Sequence, residues 1–172
     1  MSIVQLKSGL KRREADAIAE SWLKNREELQ HFLSLFAEHS TTVQRKGMWI
    51  LGLIHDTDSI SLVPFHDLLF NIFCSSNDAA VRREIFEILL GTKDEKIQGF
   101  MLDEALQCIH NPSSSVAECH HALKWLINPS KKHPEIGHET ISALSATQDL
   151  RTAAWSRYAK KKILYFRKRL DT

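Results

Sequence analysis

An all-α fold of stacked helix pairs is what this sequence predicts, and three observations carry the prediction. Apolar residues recur at helical spacing through nearly the whole chain, and the strict alternation of a half-buried strand is sustained nowhere. Only six glycines and four prolines interrupt the 172 residues, few of the breakers that stop a helix. The chain also falls into segments of similar length, each introduced by a polar turn.

Taken in order, the apolar sets are Ile18, Ala19 and Trp22; Leu29, Phe32, Leu33 and Phe36; Ile50, Leu51 and Ile54; Leu68, Leu69 and Ile72; and Ile85, Ile88 and Leu89. Each set lies on one helical face. Turn signals separate them at His39-Ser40-Thr41-Thr42, Asp56-Thr57-Asp58-Ser59, Ser75-Ser76-Asn77-Asp78, Asn111-Pro112-Ser113-Ser114-Ser115 and Asn128-Pro129-Ser130. Ser, Asn and Asp in such turns cap the helix that follows.

Four similar blocks each open a helix after a polar turn, beginning Thr41-Thr42-Val43-Gln44, Ala79-Ala80-Val81-Arg82, Ser114-Ser115-Val116-Ala117 and Gln148-Asp149-Leu150-Arg151. The anchors Val43, Val81, Val116 and Leu150 are 38, 35 and 34 residues apart, and seven residues on stand Ile50, Ile88, Leu123 and Arg157. Between anchors lies a second helical segment each time, near residues 27 to 38, 62 to 74, 95 to 110 and 134 to 146. Such pairs cannot bury both faces alone, so they stack. The expectation is a single domain, 1–172, forming an α-α superhelix of about four pairs (27–55, 61–92, 95–128 and 133–170) behind an N-terminal cap (1–26).

Asp78-Ala79-Ala80-Val81-Arg82, followed by Ile85, Ile88, Leu89 and Gly91, resembles the second helix of a HEAT repeat, and Asp149-Leu150-Arg151-Thr152-Ala153-Ala154 is similar. The resemblance to HEAT/armadillo proteins covers about residues 27 to 165. In that family Asp and Arg often form a ladder along the stack; Gln44 and Ala117 at the Arg position leave it incomplete here. Trp22-Leu23-Lys24-Asn25 and the basic last segment also resemble small bacterial HEAT-like proteins of unestablished role, some of which carry an adenylosuccinate lyase label. That enzyme family uses a Ser-Ser-x-Met-Pro-x-Lys-x-Asn loop, whereas Ser113-Ser114-Ser115 here precedes Val116. No motif supports the lyase reading.

The composition, 43% hydrophobic and 26% charged, is that of a globular chain rather than a disordered or membrane one. The opening Met1-Ser2-Ile3-Val4-Gln5-Leu6-Lys7 reaches no apolar stretch of signal-peptide length, so a cytoplasmic location and no membrane association are expected. Cys74, Cys108 and Cys119 are odd in number and make no Cys-x-x-Cys pair, which reads as buried thiols. A metal site at Cys119-His120-His121 with His133 and His138 is disfavoured, because adjacent helical residues point about 100° apart. Gly91 and Gly99 are isolated, so there is no phosphate loop. Asp56, Asp58, Asp94, Glu95, Asp103 and Glu104 suit caps and first helical turns. The sequence assigns no catalytic, cofactor-binding or metal-ligating residue, and no cofactor.

Charge supplies the functional asymmetry. From Arg151 onward the chain carries +7, with Asp171 the one acid, and the remainder carries −5. The leading expectation is a non-catalytic scaffold binding a protein partner across a concave surface of second helices. Its contacts would be Arg45, Met48, Arg82, Arg83, Phe86, His121, Arg151 and Trp155, with Gln44 and Glu118 also facing outward. Met48 and Phe86 lie off the stripe set by Ile50, Leu51, Ile85 and Leu89, so Phe86→Ala is expected to be nearly neutral for stability. The alternative is nucleic acid, held by Arg157, Lys160, Lys161, Lys162, Arg167, Lys168 and Arg169 with Trp155, Tyr158, Tyr165 and Phe166 interleaved as stacking rings.

Overall fold

In a computed structural model, which describes residue 6 and residues 9–170, the chain is all-α. The remainder of the opening seven residues, part of the expected N-terminal cap, and Asp171 lie outside the described residues. The helices are α1 (Arg12–Lys24), α2 (Arg26–Ser34), α3 (Thr41–Asp58), α4 (His66–Ser75), α5 (Ala79–Ile88), α6 (Glu95–His110), α7 (Val116–Ile127), α8 (Pro129–Lys132), α9 (Pro134–Thr147) and α10 (Ala153–Leu170). Short 3-10 segments at Phe36–Glu38, Ser59–Phe65 and Leu89–Gly91 complete them. Among the described residues there is no strand, and no helix is long and apolar enough to cross a membrane. Two compact units result, Met1–Thr92 and Lys93–Thr172.

In the first unit α3 packs against α1 and α5, while α5 also packs against α4. The ring of Phe32 sits among Trp22 at 4.9 Å, His39 at 5.1 Å and Phe36 at 5.9 Å. It reaches this position by lying against the α3 backbone: a Cβ at Gly47 would stand 2.1 Å from its Cζ. Gly in a helix interior costs about 1 kcal/mol relative to Ala, and here the missing side chain makes room for an aromatic ring. In the second unit α6 packs on α7, α9 on α10, and α9 on α6.

Asp78 and Ser115 cap as expected, whereas Ser40, Asp58 and Asn128 make no side-chain cap, and Asp56-Thr57-Asp58 forms the last turn of α3 rather than a loop. Asn25, Asp78, Asp94 and Ser115 accept hydrogen bonds from the first-turn amides of α2, α5, α6 and α7. Thr152 does the same for α10, its Oγ1 taking the Trp155 amide at 3.2 Å. Counted by the residue that precedes each second helix the repeat is more regular than the anchors suggest: Ser40, Asp78, Ser115 and Thr152 are 38, 37 and 37 residues apart. The third, seventh and eleventh residues after each cap are buried in every case: Val43, Gly47 and Leu51; Val81, Ile85 and Leu89; Glu118, Ala122 and Leu126; Trp155, Ala159 and Ile163. The expected anchors Val116 and Leu150 therefore stand out of register. Leu150 is 66% exposed in the turn before α10, because Thr152, not Asp149, starts the helix.

Three outward-facing assignments are corrected by the same register. Met48, Phe86 and Trp155 are all 0% exposed. Helix α3 packs against both α1 and α5, and α5 against both α3 and α4, so their apolar faces are wider than one stripe. Phe86 meets Phe73 edge-on at 4.9 Å, and Trp155 donates its indole N–H to the Thr147 carbonyl at 3.1 Å. Glu118 is also buried, and Phe166 is fully so. Cys108 and Cys119 are buried as expected, but Cys74 is exposed.

Asp78 takes the amides of Ala80 and Val81 with one carboxylate oxygen and binds Arg45 at 2.7 Å with the other. The hydrogen bond from Arg45 holds its carboxyl below the usual carboxylate range, with the amides of α5 adding to the effect. Asp78→Ala should lower stability by about 1–2 kcal/mol, as loss of an N-cap does. Asp78→Asn should cost less, since the amide oxygen still caps. The ion-pair share is present above a pH of about 4 and disappears as acid protonates Asp78. Urea melts of wild type and Asp78→Asn should therefore converge on acidification; a gap that stays constant would show that the charge contributes nothing.

Candidate nucleic-acid interface

The surface of the unit Lys93–Thr172 is organised by the last helix. Trp155, Ala159, Ile163 and Phe166 form the buried stripe of α10. Helical periodicity then forces Arg157, Lys160, Lys161, Arg167 and Lys168 outward, and all five are exposed. Between the two faces runs a flank spaced four, three and four residues apart: Tyr158, Lys162, Tyr165 and Arg169. Side chains at these intervals touch one another along a helix. The Lys162 ammonium lies 5.5 Å from the ring centres of both Tyr158 and Tyr165, and the Arg169 guanidinium lies 4.9 Å from Tyr165. The flank is therefore a cation–aromatic ladder rather than four separate side chains.

Helix α7 extends this ladder. His120 stands 5.4 Å from Tyr158 and 5.5 Å from His121. Burial, with repulsion from Lys161 and Lys124, pulls the Lys162 ammonium below the usual lysine range. That repulsion records a concentration of positive charge drawn from both helices, the arrangement that attracts an anion. Burial, with the neighbouring Cys119 contributing, pushes the Tyr158 hydroxyl up to about 12, so Tyr158 stays neutral and offers a ring.

The arginines expected at a protein contact are instead engaged within the fold. Arg45 binds Asp78 at 2.7 Å, and Arg83 binds its neighbour Glu84 at 2.6 Å. Arg82 lies 4.0 Å above the Phe73 ring and donates to the Phe73 carbonyl at 3.4 Å. Arg151 is drawn into the end of α6, donating to the carbonyls of Cys108, Ile109 and Asn111 and to the sulfur of Cys119. Of the eight residues expected to meet a protein partner, His121 and the buried Trp155 fall beside the ladder, the Trp155 ring 5.8 Å from Tyr158.

The engagements of Arg82 and Arg151 follow one rule. Among the described residues no backbone φ is positive, so no helix ends in a left-handed cap and its last carbonyls need other donors. In three of the four repeats the fourth residue after the N-cap position supplies one: Gln44 to Phe36, Arg82 to Phe73 and Cys119 to Cys108, at 3.0, 3.4 and 3.4 Å; in the last, Ser156 bonds to Asp149 instead. Cys119, not Ala117, thus occupies the Arg position of the third repeat. A thiol is a weak donor, and Arg151 reaches over from the next repeat to supply the rest.

Sequence reading weighed His120 as a metal ligand alone and overlooked Lys124; the two lie four residues apart on one face of α7, and their spacing was the signal. It also named Trp155 and Phe166 as stacking rings, and their burial leaves Tyr158 and Tyr165 in that role. Among the described residues no group of three or more metal-ligating side chains converges.

The HEAT repeat domain family matches residues 3–165 of the chain. No curated protein and no solved structure matches it.

Proposed function

The chain belongs to the HEAT repeat family, and from that membership we propose that it is a binding module whose partner is single-stranded nucleic acid, held on the cation–aromatic ladder of α10 and the adjoining face of α7. Repeat folds of this kind commonly act by presenting helix surfaces to partners. What favours a nucleic acid over a protein is the composition of this face. Protein interfaces are depleted in lysine, whereas Lys160, Lys161, Lys162 and Lys168 supply much of the charge here. Ammonium groups suit phosphates, and Tyr158 and Tyr165 offer rings to unstacked bases.

Mechanistically, Arg157, Lys161 and Lys168 would neutralise phosphates while Lys162 and Arg169 brace the tyrosine rings from behind. Stacking reads no sequence, so discrimination among bases should be weak. Fluorescence anisotropy with labelled oligo(dT) tests the reading. If about four phosphates are neutralised, log affinity should fall with log salt with a slope of about −3. Lys161→Glu with Lys168→Glu should weaken binding by more than about tenfold and flatten that slope by about 1.4, at about 0.7 per phosphate. Neither side chain packs in the core, so the melting temperature should hold. Salt-independent binding, or none, would overturn the proposal; a nuclease-resistant protein lost on the same double reversal would move the face to the protein reading.

A further inference from the structure

The buried thiols of the second unit lie beneath Arg151, and their geometry is not that of inert packing. Cys108, near the end of α6, and Cys119, in the first turns of α7, bring their sulfurs to 3.6 Å. Arg151 Nη1 lies 2.8 Å from the Cys119 sulfur. That is closer than the guanidinium lies to the Cys108 carbonyl, at 3.3 Å, although sulfur is the larger atom. A cation at that distance favours a sulfur bearing negative charge. It also repels a metal ion, so two thiols here do not make a metal site.

We propose that Cys108 and Cys119 form a redox-active pair that a hydroperoxide converts to a reversible disulfide, with Cys119 as the attacking sulfur and Cys108 as the resolving one. The hydrogen bond from Cys108, then Arg151, holds the Cys119 thiol below its usual range. The same hydrogen bond, with burial, pushes Cys108 up. The guanidinium on the Cys119 sulfur assigns the roles: Cys119 is the thiol that ionises, giving up its bond to the Cys108 carbonyl, and Cys108 keeps its proton.

In the first step the Cys119 thiolate attacks one oxygen of hydrogen peroxide. The S–O bond forms, the O–O bond breaks, and the leaving hydroxide takes a proton from solvent to become water. In the second, the Cys108 sulfur attacks the Cys119 sulfenic sulfur; the S–S bond forms, the S–O bond breaks, and the departing hydroxide leaves as water with the Cys108 proton. Two thiols are oxidised by two electrons, and one peroxide is reduced to two waters. The sulfurs must close from 3.6 Å to about 2.05 Å.

Access runs past Arg151. Cys119 is 0% exposed and Cys108 5%. Arg151 also lines an open depression with Asp149, Ser156 and Arg157 at the start of α10. A rotation of the guanidinium toward that depression uncovers the sulfur it covers at rest, and peroxide is small enough to use the opening. The exposed thiol of Cys74 provides an internal comparison.

The test uses the full chain. The folded protein is treated with hydrogen peroxide, quenched by alkylation under denaturing conditions and mapped by peptide mass. The expected product is a cross-linked peptide pair containing Cys108 and Cys119, lighter by two hydrogens and restored by dithiothreitol. Cys108→Ser should leave a Cys119 sulfenic acid that dimedone captures. Arg151→Gln, which keeps an N–H donor for the carbonyls and removes the charge, should slow cross-linking by about tenfold, with thermal melts run beside it to confirm folding. Full alkylation of both cysteines while Cys74 is oxidised would overturn the pair. An unchanged rate in folded Arg151→Gln would overturn the part assigned to the guanidinium.

Discussion

Phe86→Ala is expected to destabilise the protein by about 3–5 kcal/mol, the range for truncating a fully buried aromatic ring. The ring is 0% exposed and meets Phe73 edge-on at 4.9 Å. Phe73 in turn carries the Arg82 guanidinium 4.0 Å above its face. Deletion therefore leaves a cavity, removes an aromatic pair and loosens the platform on which Arg82 reaches the end of α4. For a chain of this size the melting temperature should fall by roughly 10 °C, at about 2–4 °C for each kcal/mol. A drop of a degree or two would mean that α5 presents Phe86 to solvent.

Arg151→Ala should cost about 3 kcal/mol, more than a surface arginine ever does, because charged hydrogen bonds are worth about 1.5–3 kcal/mol each and are not additive. One guanidinium serves the carbonyls of Cys108 at 3.3 Å and Ile109 at 2.9 Å, that of Asn111, and the sulfur of Cys119. It also lies 4.3 Å from the Trp155 ring centre. Arg151→Lys should rescue little, since a single ammonium cannot span acceptors that a planar fork reaches together. In the alanine background, Cys119→Gln should recover part of the loss, because glutamine at this register position already serves the first repeat through Gln44. Chemical denaturation of the three variants decides: a fully restored lysine variant would show that charge alone matters, and a silent glutamine would show that the register equivalence has no energetic content.

The helix pairs were legible because each second helix follows a turn of Ser, Asn, Asp or Thr, and those residues do cap α5, α7 and α10, though Ser40 makes no side-chain bond to α3. Register was less legible. Val116 looked like Val81, yet the buried residue three after the cap is Glu118 in one repeat and Trp155 in another, types that no apolar template selects. Met48 and Phe86 were misplaced because a single stripe was assumed where α3 and α5 bury a broad face. The basic last helix was plain from composition, but its tyrosine ladder depended on knowing which face Trp155 and Phe166 occupy. The sulfur pair and Arg151 were invisible, since residues 108, 119 and 151 meet only after α6, α7 and α10 are placed.

The contact between Phe32 and Gly47 ties two positions fifteen apart into one heritable unit. Any side chain at 47 needs the ring at 32 gone, and a small residue at 32 leaves a void that only a larger residue at 47 fills. Single changes at either position should be rare among descendants of this chain, and paired exchanges of bulk from one helix to the other should be the route by which the site drifts.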